Sequence, residues 1–263
     1  MVQAIFSDLD GTLINNQNNV SKENKEAIHS FVNKKGFFSI ATGRSEISIQ
    51  SYIADLPINM PLIIYNGAAV YDFSQKKFLR KKWLDNVFVQ DILRFIISIY
   101  PKVCAEVFMG GPVCFVNRKG VMDPYILQSK ELYKLVDIDN CKDCFKLLFY
   151  GEPNKLKKVM KAVKREYSEK MFSSTFSTPF YLEILPMGVS KDTGIQWILQ
   201  NNLYNVSKYC AIGDYDNDVE MICNATLGAA PLNSSDEVKK VADVIVRSND
   251  HHSLADLIYN HVL

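Results

Sequence analysis

Near the start of the chain two carboxylates stand one residue apart, Asp8 and Asp10, followed at once by Gly11 and Thr12. An acid pair at this spacing can divide its labour, one group attacking or binding a cation while the other gives and takes a proton. Alone, the same pair is what a capped turn with two solvated acids looks like. Three later segments supply the partners the chemical reading needs: Thr42-Gly43-Arg44, Lys191, and Gly213-Asp214-Tyr215-Asp216-Asn217-Asp218. Placing Asp8, Asp10, Asp214 and Asp218 in one cleft is strongly repulsive without cations, since like charges raise each other's pKa. Lys191 and a divalent ion would relieve this. The ligands are all oxygen, which favours Mg2+ over zinc. A hard ion with open positions, a lysine, a threonine hydroxyl and helix N-termini together describe a phosphate site.

The elements around these residues must bring them to one edge of a sheet. Val2 to Phe6 is a short apolar run bounded by turn residues, the pattern of a buried parallel strand. Ligands in such sheets sit beyond the carboxyl ends of the strands, which is where Asp8 and Asp10 fall, and Gly11 permits a tight turn beneath them. Residues 21–35 read as a helix capped by Ser21, with Ala27, Ile28, Phe31 and Val32 as its apolar stripe and Gly36 as its stop. A second strand, residues 37–41, leads into Thr42. A helix over about 45–54 and a third strand, 61–65, end in Asn66-Gly67-Ala68. This is the rhythm of βαβ units.

From about Trp83 to Met187 the strands pair as hairpins around Gly110-Gly111-Pro112 and Thr178-Pro179, and the helices, 87–100 and 154–167, stand apart. That pattern predicts an antiparallel sheet with helices on one face. The βα rhythm resumes at Gly188 with a helix from Lys191 to about residue 201 and a strand, 208–212, that ends in Gly213-Asp214. A short helix over 217–223, apolar runs at 225–229 and 241–246, and a helix over 254–262 close the chain. The fold class is therefore α/β. A Rossmann-like parallel-sheet core, discontinuous over 1–82 and 188–263, is interrupted by an α+β insert over 83–187.

The totals exclude several function classes. Thirty basic against 29 acidic residues leave a net charge of +1, so nothing points to nucleic acid or a membrane surface. No apolar run reaches the roughly 18 residues that span a bilayer, and the N-terminus lacks the basic start of a secretory signal. A cytoplasmic chain is expected, with its six cysteines reduced and partly buried. Cys141-Lys142-Asp143-Cys144 is a lone C-x-x-C without the second pair a zinc site needs. The lysines of residues 154–165 alternate with Leu156, Val159, Met160 and Val163, which makes them the solvated face of a helix.

In their order, the four motif segments resemble those of the haloacid dehalogenase (HAD) superfamily of phosphohydrolases. The Asn66-Gly67-Ala68 triplet, the position of the insert, and Leu182-Glu183-Ile184-Leu185-Pro186-Met187-Gly188-Val189-Ser190-Lys191 are similar to the Cof-type subfamily, whose large α/β cap occupies that place. The resemblance covers essentially the whole chain. It implies Asp8 as the nucleophile and Asp10 as the acid and base. Mg2+ would be held by Asp8, the Asp10 backbone carbonyl and Asp214, with Asp218 in the metal set and, with Asn217, supporting that shell and orienting Lys191. Thr42 and Lys191 would hold the phosphoryl oxygens, and the Leu9 and Gly43 amides would serve as further donors. Arg44 is either a substrate contact or a salt bridge within the core. Asn66 and Asn217 join the candidate substrate-binding residues. Glu183 is either a cap-side contact to a sugar hydroxyl or an exposed strand residue.

One departure from the family pattern stands beside the lysine: Asp192 occupies the position where relatives usually carry glycine. It could perturb Lys191 or simply favour the helix N-terminus. The expected activity is Mg2+-dependent hydrolysis of small phosphomonoesters, sugar phosphates first among them, through an aspartyl-phosphate on Asp8. A phosphosugar mutase and a catalytically silent phosphate-binding module are the alternatives.

Overall fold

The computed structural model describes residues 2–117, 121–124, 133–201 and 204–263. The chain packs as two compact units. One comprises Met1–Arg44, Ile49–Arg80 and Ser190–Leu263; the other is Lys81–Val189 together with Ser45–Ser48. That four-residue excursion at Ser45–Ser48 has no counterpart in the 1–82 segment expected from the sequence.

The first unit is built on β1 (Ala4–Ser7), β2 (Phe37–Ile40), β3 (Leu62–Ile64), β4 (Ala69–Asp72) and β5 (Lys77–Lys81), then, beyond the insert, β12 (Tyr209–Ile212), β13 (Leu227–Pro231) and β14 (Val244–Val246). Its main sheet runs β14-β13-β12-β1-β2. Every pairing in it is parallel, with Phe6 opposite Ser39 on one side and Ala211 on the other. Helices cover such a sheet on both faces, so its central strands are largely apolar; β1, apolar up to Ser7, and β12 are wholly buried. The strands β3, β4 and β5 form a smaller sheet, and a parallel bridge from Ala41 to Ile63 joins it to the end of β2. The β4–β5 pair was not foreseen from the sequence.

The first helix, α1 (Lys22–Asn33), is capped as expected, Ser21 accepting from the Asn24 amide at 3.2 Å. Its stop differs from expectation. Lys35, at φ 69°, takes the left-handed position, while the Gly36 amide donates to the Phe31 carbonyl at 3.1 Å. Gly36 is needed for space instead, because a Cβ there would strike the Phe31 ring. The helix expected over 45–54 shrinks to α2 (Gln50–Ile53).

The second unit contains α3 (Asn86–Ile99), β6 (Cys104–Phe108), β7 (Val113–Phe115), β8 (Tyr133–Leu135), β9 (Lys146–Tyr150), α4 (Pro153–Glu166), β10 (Phe172–Thr178) and β11 (Tyr181–Pro186). Its sheet runs β10-β11-β9-β6-β7-β8, antiparallel except for the β7–β8 pair. Alternation along the strands puts Val107, Leu147, Phe149, Leu182 and Ile184 in one core with Phe88, Ile92 and Ile96 of α3 and Leu156, Val159 and Val163 of α4. The Phe88 and Phe172 rings stack with centroids 5.4 Å apart. The lysines of α4 are exposed, as its spacing required.

The opposite parity of the same strands carries charge. Glu106 and Glu183 both stand opposite Leu148, and Lys146 lies two residues along. All three are buried. Lys146 Nζ donates to Glu183 Oε2 at 2.6 Å and sits 4.6 Å from the Phe108 ring centre. Burial, then the neighbouring Asp123, lift the Glu106 carboxyl well above its usual range, with Lys146 acting in the opposite direction. Glu183 is thus not an exposed strand residue; its carboxylate forms a buried ion pair.

Five of the six cysteines are buried, none is in a disulfide, and Cys223 is exposed. Burial pushes the Cys141 thiol up to about 11 and shifts Cys144 upward as well, which makes both poor nucleophiles and poor metal ligands. No helix among the described residues is long and apolar enough to cross a membrane.

Candidate active site

Four pieces of the first unit meet at the carboxyl ends of β1, β2 and β12. Beyond β1 the chain turns through Asp8, Leu9, Asp10 and Gly11. Beyond β12 it passes Gly213 and Asp214 into a 3-10 turn, Asp216–Asp218, and then α6 (Val219–Asn224). Lys191 opens α5 (Lys191–Gln200), whose N-cap Ser190 forms a reciprocal capping box with Thr193. That cap fixes where the lysine enters.

Lys191 Nζ donates at 2.6 Å to Asp8 Oδ1 and at 2.6 Å to Asp218 Oδ1, and the lysine is 1% exposed. Burial alone would lower the pKa of its ammonium, but Asp218 and Asp8 outweigh that and hold it charged. Asp218 is buried and fully engaged, its Oδ2 accepting from the Asp214 amide at 3.0 Å and the Tyr215 amide at 3.2 Å. Asp8, Asp214 and Asp218 each offer a carboxylate oxygen within 4.8 Å of the others. Three negative groups therefore face one ammonium. Burial raises the Asp8 carboxyl well above the carboxylate range against the pull of Lys191, and Asp218, Asp214 and Asp10 add to the rise. Burial, then Asp218, raise Asp214 to about 7. An all-oxygen donor set with negative charge in excess suits a hard divalent cation.

Asp10 stands apart from this trio. Its carboxylate, half exposed, receives Arg44 Nε at 2.7 Å and Nη2 at 2.5 Å in a bidentate pair. The guanidinium itself is nearly buried and lies 4.4 Å from the centre of the Tyr52 ring. A salt bridge, one of the two readings open for Arg44, is thus formed, and its acid is half exposed. The Asp10 carboxylate lies outside the group of three that could share one ion. Thr42 is 1% exposed; its amide donates to the Ile63 carbonyl at 2.8 Å and its Oγ1 accepts from the Arg44 amide at 3.2 Å. With that lone pair engaged, the hydroxyl proton remains for a ligand. The amides of Leu9 and Gly43 donate to no protein acceptor among the described residues.

Asn217 Nδ2 donates to Asn66 Oδ1 at 3.1 Å, so the two asparagines contact each other. Asp192 is turned to Asn224 Nδ2, at 2.9 Å, and Gln196 Nε2, at 3.2 Å. It sits in the first turn of α5, where the helix dipole favours an acid. Sequence reasoning missed Thr12, whose Oγ1 donates to Asp214 Oδ1 at 2.9 Å. Gly11, at φ 74°, brings the backbone so close that a Cβ would overlap the Asp214 carboxylate. The signal for Thr12 was present in Asp10-Gly11-Thr12, where a donor follows the acid pair and the turn glycine.

The model of the haloacid dehalogenase-like hydrolases matches residues 5–258. The chain belongs to this family. It is an enzyme of the family's phosphatase type, with the HAD fold of a parallel-sheet core and a separate cap sheet. The Bacillus subtilis 5-amino-6-(5-phospho-D-ribitylamino)uracil phosphatase YcsE is 26% identical over 262 residues, covering 100% of this chain and 96% of its own. A haloacid dehalogenase-like hydrolase from Bacteroides thetaiotaomicron superposes with a TM-score of 0.83 at 25% identity, over 98% of both chains. The HAD subclass IIB sugar phosphatase BT4131 shares the fold with a TM-score of 0.86 at 18% identity, over the full length of both.

Proposed function

We propose that this HAD enzyme is a Mg2+-dependent phosphatase of small phosphomonoesters, with a sugar or sugar-derived polyol phosphate as substrate and Asp8 as nucleophile. The observation that carries the reading is the buried Lys191 bridging Asp8 and Asp218 beside Asp214. Such a lysine favours the Asp8 carboxylate against burial and holds it aimed, leaving one of its oxygens for phosphorus. The relative YcsE, by its name, acts on a phosphate at the end of a ribityl chain, which supports the polyol class. The 83–187 segment is proposed as the cap that selects the substrate.

In this mechanism an Asp8 carboxylate oxygen attacks phosphorus and the bond to the leaving oxygen breaks, giving an aspartyl-phosphate. Asp10, protonated and turned out of the Arg44 fork for this step, gives its proton to that leaving oxygen. In the second half, water attacks the same phosphorus, Asp10 takes the water's proton, and the Asp8 oxygen leaves with its electron pair. Thr42, Lys191 and the Leu9 and Gly43 amides receive the phosphoryl oxygens. Asp8, Asp214 and the Asp10 carbonyl would hold Mg2+, with Asp218 and Asn217 behind them; when bound, the ion neutralises the charge brought together by phosphate and carboxylates.

The test is a panel of phosphomonoesters with and without Mg2+. Phosphate release that requires Mg2+ and disappears in Asp8→Asn, with the fold intact by circular dichroism, is the expected result. Turnover in Asp8→Asn would remove it as nucleophile, and a bisphosphate-activated isomerisation exceeding release would favour a mutase.

A further inference from the structure

The turn Tyr65-Asn66-Gly67 takes no part in the chemistry above, yet it is the most constrained stretch of backbone in the first unit. Its three residues have φ of 52°, 54° and 93° in succession. Only glycine adopts such values freely; a tyrosine and an asparagine held there in a row need surroundings that enforce it. Both are buried. A strained buried turn is retained where it does something that a relaxed one could not.

The turn reaches three of the four motif segments at once. The Tyr65 amide donates to the Arg44 carbonyl at 3.0 Å and the Asn66 amide to the Thr42 carbonyl at 2.9 Å. These two bonds fix the loop that carries Thr42. Gly67 lies directly against the Ser190 carbonyl, where a Cβ would overlap the oxygen. Ser190 caps α5, and Lys191 is the next residue. Finally, Asn66 Oδ1 accepts from Asn217 Nδ2 at 3.1 Å, within the Asp214–Asp218 segment.

We infer that Asn66 is a positioning residue: through this turn it holds Thr42, Lys191 and Asn217 in register around the phosphoryl group without touching it. The inference rests on the phosphatase reading and gives Asn66 a different task from the substrate contact expected of it. A left-handed Asn66 presents its amide to Asn217 while its own N–H faces Thr42, and an extended residue could not do both.

A double-mutant cycle tests it. Asn66→Gly keeps the positive φ at low cost and removes the amide. Asn217→Ala removes the partner, and the double variant completes the cycle. Asn66→Gly is expected to lower kcat about tenfold with KM within about twofold, the pattern of lost alignment rather than lost binding. Adding Asn217→Ala to it should then cost less than about twofold more, because the shared bond is already gone. Additive losses, an unchanged kcat, or a raised KM with kcat retained would each overturn the inference. The same four proteins are titrated with inorganic phosphate by calorimetry. Coupling there in a wild type that shows no turnover would reject the phosphatase reading while keeping the positioning role. Absence of coupling in both assays rejects the positioning role.

Discussion

Arg44 grips both oxygens of Asp10 from a nearly buried site over the Tyr52 ring, while the acid itself is half exposed. Lysine in place of the arginine keeps a charge but loses the fork. Arg44→Lys is expected to lower kcat about tenfold on alkyl phosphates. It should change far less on p-nitrophenyl phosphate, whose leaving group needs no proton; equal losses on both would show that Arg44 does not act through Asp10. Asp214 gives a second residue-scale prediction. Its folded carboxyl is raised to about 7, above the roughly 3.9 of an unfolded aspartate, so its contribution to stability is complete below that unfolded pKa and is lost as pH rises through about 7. The unfolding midpoint of metal-free enzyme should therefore fall between pH 5 and 8 more steeply than that of Asp214→Asn. Saturating Mg2+ should flatten the wild-type trend, since the ion binds the folded carboxylates. Parallel slopes in the two metal-free proteins would contradict it. At this scale the acids and Lys191 were legible because several like charges after apolar strands demand a counter-charge. Thr12 was not, because a hydroxyl after a glycine looks like any turn until Asp214 is seen above it.

Strands ending in polar residues were readable element by element, since a sheet buried on both faces leaves an unbroken apolar run. Short or locally competed elements were not. The helix expected over 45–54 fails at its start because Ser45 and Ser48 bond to each other and to each other's backbone, offering the chain an alternative to helix. Glu46 in the same stretch accepts from the Gly111 amide at 3.1 Å. The helix α7 (Asp236–Val241), capped by Ser235, went unread because six residues give too little periodicity. Asp192 shows what a departure from the family pattern does here: it ties the first turn of α5 to Asn224, the last residue of α6. Asp192→Ala leaves the Asn224 amide without its acceptor, while the Gln196 amide keeps its bond to the Tyr209 hydroxyl at 3.0 Å. It should cost about 1–3 kcal/mol in urea unfolding, with Asp192→Asn recovering part of this through its remaining oxygen. A loss in activity without a loss in stability would instead point to a direct effect on Lys191.

At the scale of the whole molecule, the insert is one continuous stretch of chain with a core of its own, whereas the first unit is assembled from three. Its sheet is backed on one face by α3 and α4, and its only borrowed piece in the compact unit is Ser45–Ser48. A continuous unit of about a hundred residues with a closed apolar core falls in the size range of independently folding domains. Residues 81–189 expressed alone should therefore unfold cooperatively in urea, with the m-value expected for their size. The reciprocal protein, with Arg80 and Ser190 joined by a short flexible linker, keeps every motif residue and the Arg80 Nη1 bond to the Thr193 carbonyl at 2.8 Å. It should retain Mg2+-dependent hydrolysis of p-nitrophenyl phosphate while losing discrimination among larger phosphate esters, as expected if the chemistry is housed in the first unit and selection in the second. A non-cooperative 81–189 fragment, or a linked core whose preference among substrates matches that of the intact enzyme, would show that this division of labour is wrong.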